Sequence, residues 1–303
     1  MSRNEKVFHK VKPPIGYYGG KQRIATKIIK YLPKHTVYVE PFCGGAAVFF
    51  AKPLPKTTSN NHYRECLNDV DGNLVNFYQV MQSNERRALL QRIMQTPYAR
   101  KCYEQARTLK QHDVVISTVD RAWAYYININ MSFGNAYSGG WGVDLYGRNS
   151  AKTWENRKKR LLQAAYRLQG VYLECKDALD VIKQWDSPQT LFYCDPPYVD
   201  TRQGYVHTYS IEQYKALIVL LQQIKGSFML SGYKTPHVPP WWPKVEFTAR
   251  MSAVNGKLRK GINTRRTECL WIVDRSHTVR PTIQKLFATG KYDCFKGLHH
   301  EEI

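Results

Sequence analysis

The run Leu191-Phe-Tyr-Cys194 is apolar throughout and is stopped by Asp195-Pro-Pro-Tyr198. A short apolar run of this kind, stopped by prolines, predicts a strand. Proline has no N–H for a strand ladder. The strand must therefore end near Cys194, with Asp195 standing at its carboxyl end. In open α/β sheets, ligands bind outside that end. The prolines remove two donors and leave carbonyls able to accept. Asp195 adds another acceptor, and Tyr198 adds a flat aromatic face. Acceptors beside a π-face suit a planar group carrying an exocyclic NH₂, such as adenine. The plain alternative is a rigid Pro-rich turn.

A second segment points to the same class of fold. Thr36-Val-Tyr-Val-Glu40 alternates and is β-branched, so it predicts a strand. Pro41-Phe-Cys-Gly-Gly45 is a turn, and Ala46 to Lys52 begins a helix. Strand, glycine turn and helix form the opening unit of a doubly wound α/β domain. The turn does not match G-x-G-x-x-G, yet its place after the first strand makes it a nucleotide-loop candidate. Cys66-Leu-Asn-Asp69 predicts a second strand. Asp69 at its end suits ribose hydroxyls, or else caps a helix ahead of Leu74. Further strands are predicted at Val171–Glu174, Gln189–Cys194 and Phe228–Ser231, with Val245–Met251 and Glu268–Val273 as a terminal antiparallel pair. Helices are predicted over Gln22–Leu32, Thr153–Leu168 and Ser210–Lys225.

Between Leu74 and about Gln169 the texture changes to basic helical periodicity, seen at Leu89, Leu90 and Ile93 and from Ala122 to Ile129. This predicts a helical insertion over 74–169 in a catalytic domain made of 1–73 and 170–303. Its middle, Asn130 to Gly142, reads as a loop rich in Gly, Asn and aromatics.

The chain has 303 residues with 45 Lys plus Arg against 24 Asp plus Glu, a formal charge of +21. Such a balance favours an anionic partner, nucleic acid above all, although a generally basic enzyme would also carry it. The seven cysteines are scattered, without a C-x-x-C pair, which argues against a disulfide scaffold or zinc ribbon. Cys43 and Cys194 are expected to pack rather than to attack. His207, His237, His299 and His300 share no metal-ligand spacing, so no metal is expected. No apolar stretch is long enough to span a bilayer, and no secretory signal is visible. A cytoplasmic, nucleoid-associated setting in a bacterium or phage is the corresponding expectation.

Together these segments resemble the DNA adenine methylase (Dam-like) family, the alpha group of N6-adenine DNA methyltransferases. Tyr17-Tyr-Gly-Gly-Lys21 looks like that family's N-terminal cofactor motif, and Val39-Glu-Pro-Phe-Cys-Gly-Gly45 like its glycine loop. Leu67-Asn-Asp69 looks like its acidic ribose site. Cys175-Lys-Asp-Ala178 sits where the family has a cofactor-contacting Asp. Asp195-Pro-Pro-Tyr198 is similar to the catalytic motif. Arg250 to Lys260 and Arg265 to Trp271 resemble the late phosphate-contacting loop and final strand.

The resemblance implies a Rossmann-like methyltransferase sheet with an inserted, mainly helical DNA-recognition domain. It implies S-adenosyl-L-methionine held by Tyr17, Lys21, Phe42, Gly44, Asp69, Asp177 and Asp195. It also implies transfer of a methyl group to a flipped-out adenine by Asp195, Pro196, Pro197 and Tyr198. Double-stranded DNA would meet Asn130, Ser132 and Asn135 in the loop, and Arg250, Asn255, Lys257, Arg259 and Lys260 late in the chain. A cognate restriction nuclease is a partner such enzymes can have, and a monomer or weak dimer is expected. The loop shows no counterpart of the Arg that GATC-reading members carry, so GATC is not implied. Two alternatives stay open: an amino-methyltransferase acting on RNA or cytosine N4, and a DNA-binding protein that keeps the scaffold without catalysis.

Overall fold

The computed structural model describes residues 11–17, 19–53, 63–111, 116–135, 139–143, 149–198, 209–250 and 265–276. Among the described residues, seven strands form one sheet: β1 (Val37–Glu40), β2 (Arg64–Asn68), β3 (Tyr172–Glu174), β4 (Thr190–Cys194), β5 (Ser227–Tyr233), β6 (Lys244–Arg250) and β7 (Arg265–Val273). Every predicted strand is present, and β2, β5 and β7 run longer than their apolar cores indicate. The order is β3-β2-β1-β4-β5-β7-β6. The first five strands pair in parallel, and β7 lies antiparallel between β5 and β6. This is the expected Rossmann-like α/β sheet. Its order reverses between β1 and β4, which creates a crevice at their carboxyl ends.

Alternation along the strands sorts the core onto two faces. Tyr38, Leu67, Leu191, Tyr193, Met229 and Leu270 pack into one apolar cluster. Their neighbours Val39, Cys66, Phe192, Cys194, Leu230 and Cys269 pack into another. Strand β4 is buried along its whole length, which is why its sequence is apolar at every position from Leu191 to Cys194.

The second face is covered by α9 (Ala178–Trp185) and α10 (Ile211–Gln223). Asp177 caps α9 by accepting from the Leu179 N–H, and a Ser210/Gln213 capping box starts α10. Trp242 closes this face, its ring 4.7 Å from that of Phe228, while Trp241 stays exposed.

The first face is covered by α1 (Ala25–Ile28), α2 (Ala47–Ala51), α3 (Gly72–Gln82), α4 (Arg86–Gln95), α5 (Arg100–Gln111), α6 (Thr118–Met131), α7 (Ser150–Lys158) and α8 (Leu161–Arg167). The expected helix over 22–32 is instead α1 between two 3-10 turns, Lys21–Arg23 and Ile29–Tyr31. The expected single helix over 153–168 is divided at Lys159 and Arg160 into α7 and α8.

The helical segment is an insertion in chain order, but it does not close on a core of its own. One cluster runs from Tyr38 and Leu67 on the sheet through Phe49 and Phe77 to Tyr126, Trp154 and Leu161. Phe77 on α3 stacks on Tyr126 of α6 with ring centroids 5.5 Å apart.

A buried ion cluster fastens this layer to β2. Arg167 on α8 donates to both oxygens of Glu65, at 2.6 and 2.7 Å, and Lys52 stands 2.7 Å from the same carboxylate. Burial pushes the Glu65 carboxyl up, but Arg167 and Lys52 outweigh burial and hold it below the usual range.

Candidate active site

The glycine turn after β1 is held from four sides. The Cys43 N–H donates to the Asn68 carbonyl at 2.8 Å. The Gly44 N–H donates to Asp69 Oδ2 at 2.9 Å, and Tyr78 donates its hydroxyl to the Gly44 carbonyl at 2.9 Å. Asn68 Nδ2 donates to the Pro41 carbonyl at 2.9 Å. Gly44 has φ 45°, and a Cβ there would sit 2.9 Å from the Tyr17 ring. Glycine is therefore required on both counts, by the left-handed backbone and by the close approach of Tyr17. Ala46 adopts φ 49° at the start of α2, a strained conformation that this bracing maintains.

Asp69 also accepts from the Asp71 N–H at 3.0 Å. The helix cap expected as the alternative role of Asp69 belongs to Asp71, which accepts from Asn73 and Leu74 at the start of α3. Asp69 is thus left at the strand end, facing a cavity. That cavity is lined by Tyr17, Lys21, Glu40, Phe42, Gly44, Asp69, Asp177, Asp195 and Pro197, among others. All seven residues expected to hold the cofactor therefore come together there, drawn from distant parts of the chain. The polar lining is acid-rich, with Lys21 and Lys176 as its basic members.

Lys21 is nearly inaccessible, and its Nζ lies 2.8 Å from Asp195 Oδ1. It also donates to the Gly19 carbonyl at 3.1 Å and stands 4.9 Å from the centre of the Tyr198 ring. Burial opposes the ammonium charge, but Asp195 with Tyr193 and Glu268 outweighs burial and raises the lysine above its ordinary value. Tyr198 donates its hydroxyl to Asp195 Oδ1 at 3.4 Å, and its ring sits 4.5 Å from that of Tyr233. Burial pushes the Asp195 carboxyl up, against the pull of Lys21 and Tyr198. Cys43 and Cys194 are buried, and burial raises both thiols, which fits packing rather than nucleophilic attack.

Glu40 ends β1 in the same cavity. Its Oε1 accepts from the Tyr38 hydroxyl and the Phe49 N–H, each at 2.7 Å. Burial pushes its carboxyl up to about 8. Sequence reasoning places Glu40 within the glycine loop but gives it no role. It also misses Glu268 on β7, which favours the charged Lys21 and is itself pushed up by burial and by the Asp195 charge. A charged residue inside the apolar strand Glu268-Cys-Leu-Trp-Ile-Val273 is the available signal.

The loop expected from Asn130 begins later. Asn130 belongs to the last turn of α6 and is buried. Its Oδ1 accepts from the Gly16 N–H at 3.3 Å and its Nδ2 donates to the Tyr126 carbonyl at 3.0 Å. Ser132 is also buried, and its hydroxyl donates to the Ile129 carbonyl at 3.2 Å. Two of the three side chains expected in a base-reading loop, Asn130 and Ser132, are therefore turned to internal bonds. Beyond Ser132 the chain makes a short 3-10 turn, Phe133–Asn135, with Phe133 exposed. Ser132 bridges to Trp141, whose ring lies 4.6 Å from Tyr98.

The β6–β7 register matters at the opposite side of the crevice. β5 ends its pairing at Tyr233 opposite Glu268. β6 and β7 continue through Thr248–Thr267, Ala249–Arg266 and Arg250–Arg265. The hairpin thus projects past the carboxyl edge of the sheet beside Asp195. Asn255, Lys257, Arg259 and Lys260 lie outside the described residues. Among the described residues, no His/Cys/Asp/Glu group could hold a metal, and no helix is long and apolar enough to cross a membrane.

Comparison with known proteins extends this geometry. Over 215 residues, 67% of this chain, the sequence is 28% identical to the "DNA N-6-adenine-methyltransferase" of Escherichia phage P1. The chain spans 27% of that protein's length. It is 26% identical over 209 residues to "Type II methyltransferase M.CviBI" of Paramecium bursaria Chlorella virus NC1A, covering 64% of this chain and 73% of that one. Among solved structures, the rRNA methyltransferase aviRa of Streptomyces viridochromogenes aligns with a TM-score of 0.36 and 13% identity, over 88% of this chain and 90% of that one. The sequence profile of one family matches residues 17–248, from the Tyr17 motif through the glycine loop and Asp195-Pro-Pro-Tyr198 into β6. The chain belongs to the family of D12 class N6 adenine-specific DNA methyltransferases.

Proposed function

We propose that the chain transfers a methyl group from S-adenosyl-L-methionine to the N6 amino group of adenine in double-stranded DNA. The observation that carries this reading is the buried Lys21–Asp195 pair at the head of Asp195-Pro-Pro-Tyr198, opening onto the glycine-lined cavity at the β1/β4 switch point.

The cavity suits the methyl donor. A sulfonium and an ammonium are cations, and Glu40, Asp69 and Asp195 supply carboxyl groups to a pocket that binds them. Asp69 and Asp177 are acceptors suited to the hydroxyls and amino group of a nucleoside. Tyr17 packs over the turn where any Cβ at Gly44 would intrude. When bound there, the donor supplies an electrophilic methyl group.

The chain's residues act on the base. Adenine N6 is a poor nucleophile because its lone pair is delocalised into the ring. Asp195 and the Pro196 carbonyl each accept one N6 hydrogen, which draws the lone pair out of conjugation and aims it. Pro197 fixes the backbone between them and Tyr198 stacks on the base. Positioning and fixed electrostatics carry the rate. The amino proton leaves toward Asp195. The adenine is taken out of the duplex at a cost of about a few kcal/mol. The β6–β7 hairpin and the surface beyond Ser132 meet the phosphates and flanking bases, so affinity falls with salt.

The test is incubation of unmethylated DNA with the purified chain and methyl-labelled S-adenosyl-L-methionine, with nucleoside analysis of the product. N6-methyladenine in DNA is the expected outcome. Label on cytosine N4 or in RNA, or DNA binding without transfer, overturns the reading.

A further inference from the structure

Asp195 has a competitor for its role. Its Oδ1 already receives Lys21 at 2.8 Å and the Tyr198 hydroxyl at 3.4 Å. A carboxylate neutralised by a lysine is a weaker acceptor for an amino hydrogen than one released from it. Lys21 is buried, so it needs another anionic partner before it can leave.

Glu268 is placed to be that partner. It sits on β7 opposite Tyr233 of β5 and Phe247 of β6. The Tyr233 ring contacts Tyr198, the last residue of the catalytic motif. The Glu268 carboxylate favours the charged Lys21, while burial and the Asp195 charge push the Glu268 carboxyl up against the pull of Lys21. Its Oε2 is buried and, among the described residues, has no hydrogen-bond partner. A buried acceptor without a donor is destabilising, so the cluster as it stands has an acceptor waiting for a donor.

We propose that Glu268 is a positioning residue: it takes over the Lys21 ammonium when the target amino group docks, leaving Asp195 to accept from the base. No bond is made or broken in the exchange, and the lysine stays charged throughout. Among the described residues, Lys21 from the first 3-10 turn and Asp195 after β4 act on Glu268, which in turn acts on Cys269 beside it on β7; Tyr233 faces it from β5, Tyr193 and Tyr198 join through Lys21 and Asp195, and Glu40 at the end of β1 joins through Asp195. Local sequence pattern carries no sign of the exchange, because the lysine and its second partner stand near opposite ends of the chain.

This inference rests on the reaction assigned under the proposed function. It is tested by steady-state methylation of duplex DNA by wild type, Glu268→Gln and Glu268→Asp across the acid range, with thermal melts alongside. In Glu268→Gln, kcat falls roughly tenfold while both KM values stay within about twofold. The acid limb of kcat moves to lower pH, because without Glu268 the lysine stays on Asp195 and holds its carboxyl down. Glu268→Asp keeps the charge, so its limb stays in place and its kcat lies between the two. A Gln variant equal to wild type, a fall in kcat with the limb unmoved, or an Asp variant whose limb shifts as far as that of Gln overturns the inference alone. Wild type that leaves DNA unlabelled overturns the assigned reaction, and this inference with it.

Discussion

Two buried ion clusters in this molecule are built from the same kinds of side chain and differ in their balance. Around Glu65, one carboxylate meets two cations, Arg167 and Lys52, with both oxygens bonded. Around Lys21, one cation is paired with Asp195 and feels Glu268 without bonding it, and Glu40 in turn feels Asp195. The first carboxyl is held below its usual range, and the acids of the second are pushed above it by burial. A cluster rich in cations and fully bonded joins the helical layer to the sheet. A cluster rich in acid, under-bonded and open to a cavity suits cations and hydrogen-bond donors arriving from outside.

The sharpest way to break this contrast is to remove one carboxylate from each cluster. Asp195→Asn keeps the shape but removes the charged acceptor, so methyl transfer falls by roughly 10² to 10³-fold. Its melting temperature falls less than that of Glu65→Gln, because Glu268 remains as an anionic neighbour of the buried Lys21. Glu65→Gln does the reverse. It leaves Arg167 and Lys52 buried without their counter-charge, a loss of about 4 kcal/mol, or roughly 10 °C. Its specific activity at low temperature remains within about threefold of wild type. Kinetics and calorimetry on both variants check the pair. Equal losses of stability, or an inactive but stable Glu65→Gln, would dissolve the distinction.

The same contrast predicts two separate acid transitions. Asp195 has a raised pKa and must be ionised to accept the amino hydrogen, so activity fails early on acidification. Glu65 has a lowered folded pKa. Its contribution to stability is present above the unfolded value and is lost only as pH falls through the lower folded one. Between them lies a range in which the chain is folded and inactive. Initial rates and melting temperatures measured across the acid range test this, and a coincident fall of the two contradicts it.

Legibility in the sequence divides along the same line. Strands β1, β4 and β5, the glycine turn and Asp195-Pro-Pro-Tyr198 depend on neighbours in the chain, and local pattern exposes them. The convergence of Tyr17, Lys21, Asp69 and Asp177 on one cavity is anticipated through the family resemblance, in motif order rather than in distance. The Lys21–Asp195 contact and the Glu65 cluster depend on side chains brought together by the sheet, which periodicity does not encode. The shared core is hidden for a related reason. The apolar stripe of α3, with Leu74, Phe77 and Met81, reads alike whether it packs on a sheet or within a separate domain. Asn130 reads as a loop residue because Asn commonly starts one, whereas here its amide bonds Gly16 and the helix simply runs on to Met131.

Asn130 supplies the smallest and most discriminating test, because α6 carries a matched control. Asn130 holds the Gly16 N–H, next to Tyr17, which packs over the glycine turn. Asn128 is also buried, but it donates to the Ala106 carbonyl within the helical layer. Each bond contributes about 1 kcal/mol. In Asn128→Ala that loss lowers the melting temperature by a few degrees, about 2–4 °C, and leaves both KM values unchanged. In Asn130→Ala the loss releases the Tyr17 segment, and KM for the methyl donor rises roughly fivefold, the factor that about 1 kcal/mol corresponds to. A base-reading Asn130 would behave otherwise: KM for DNA and the choice of methylated site would change, and KM for the donor would not. The two substitutions therefore separate a residue that only packs the helical layer from one that couples it to the cofactor cavity.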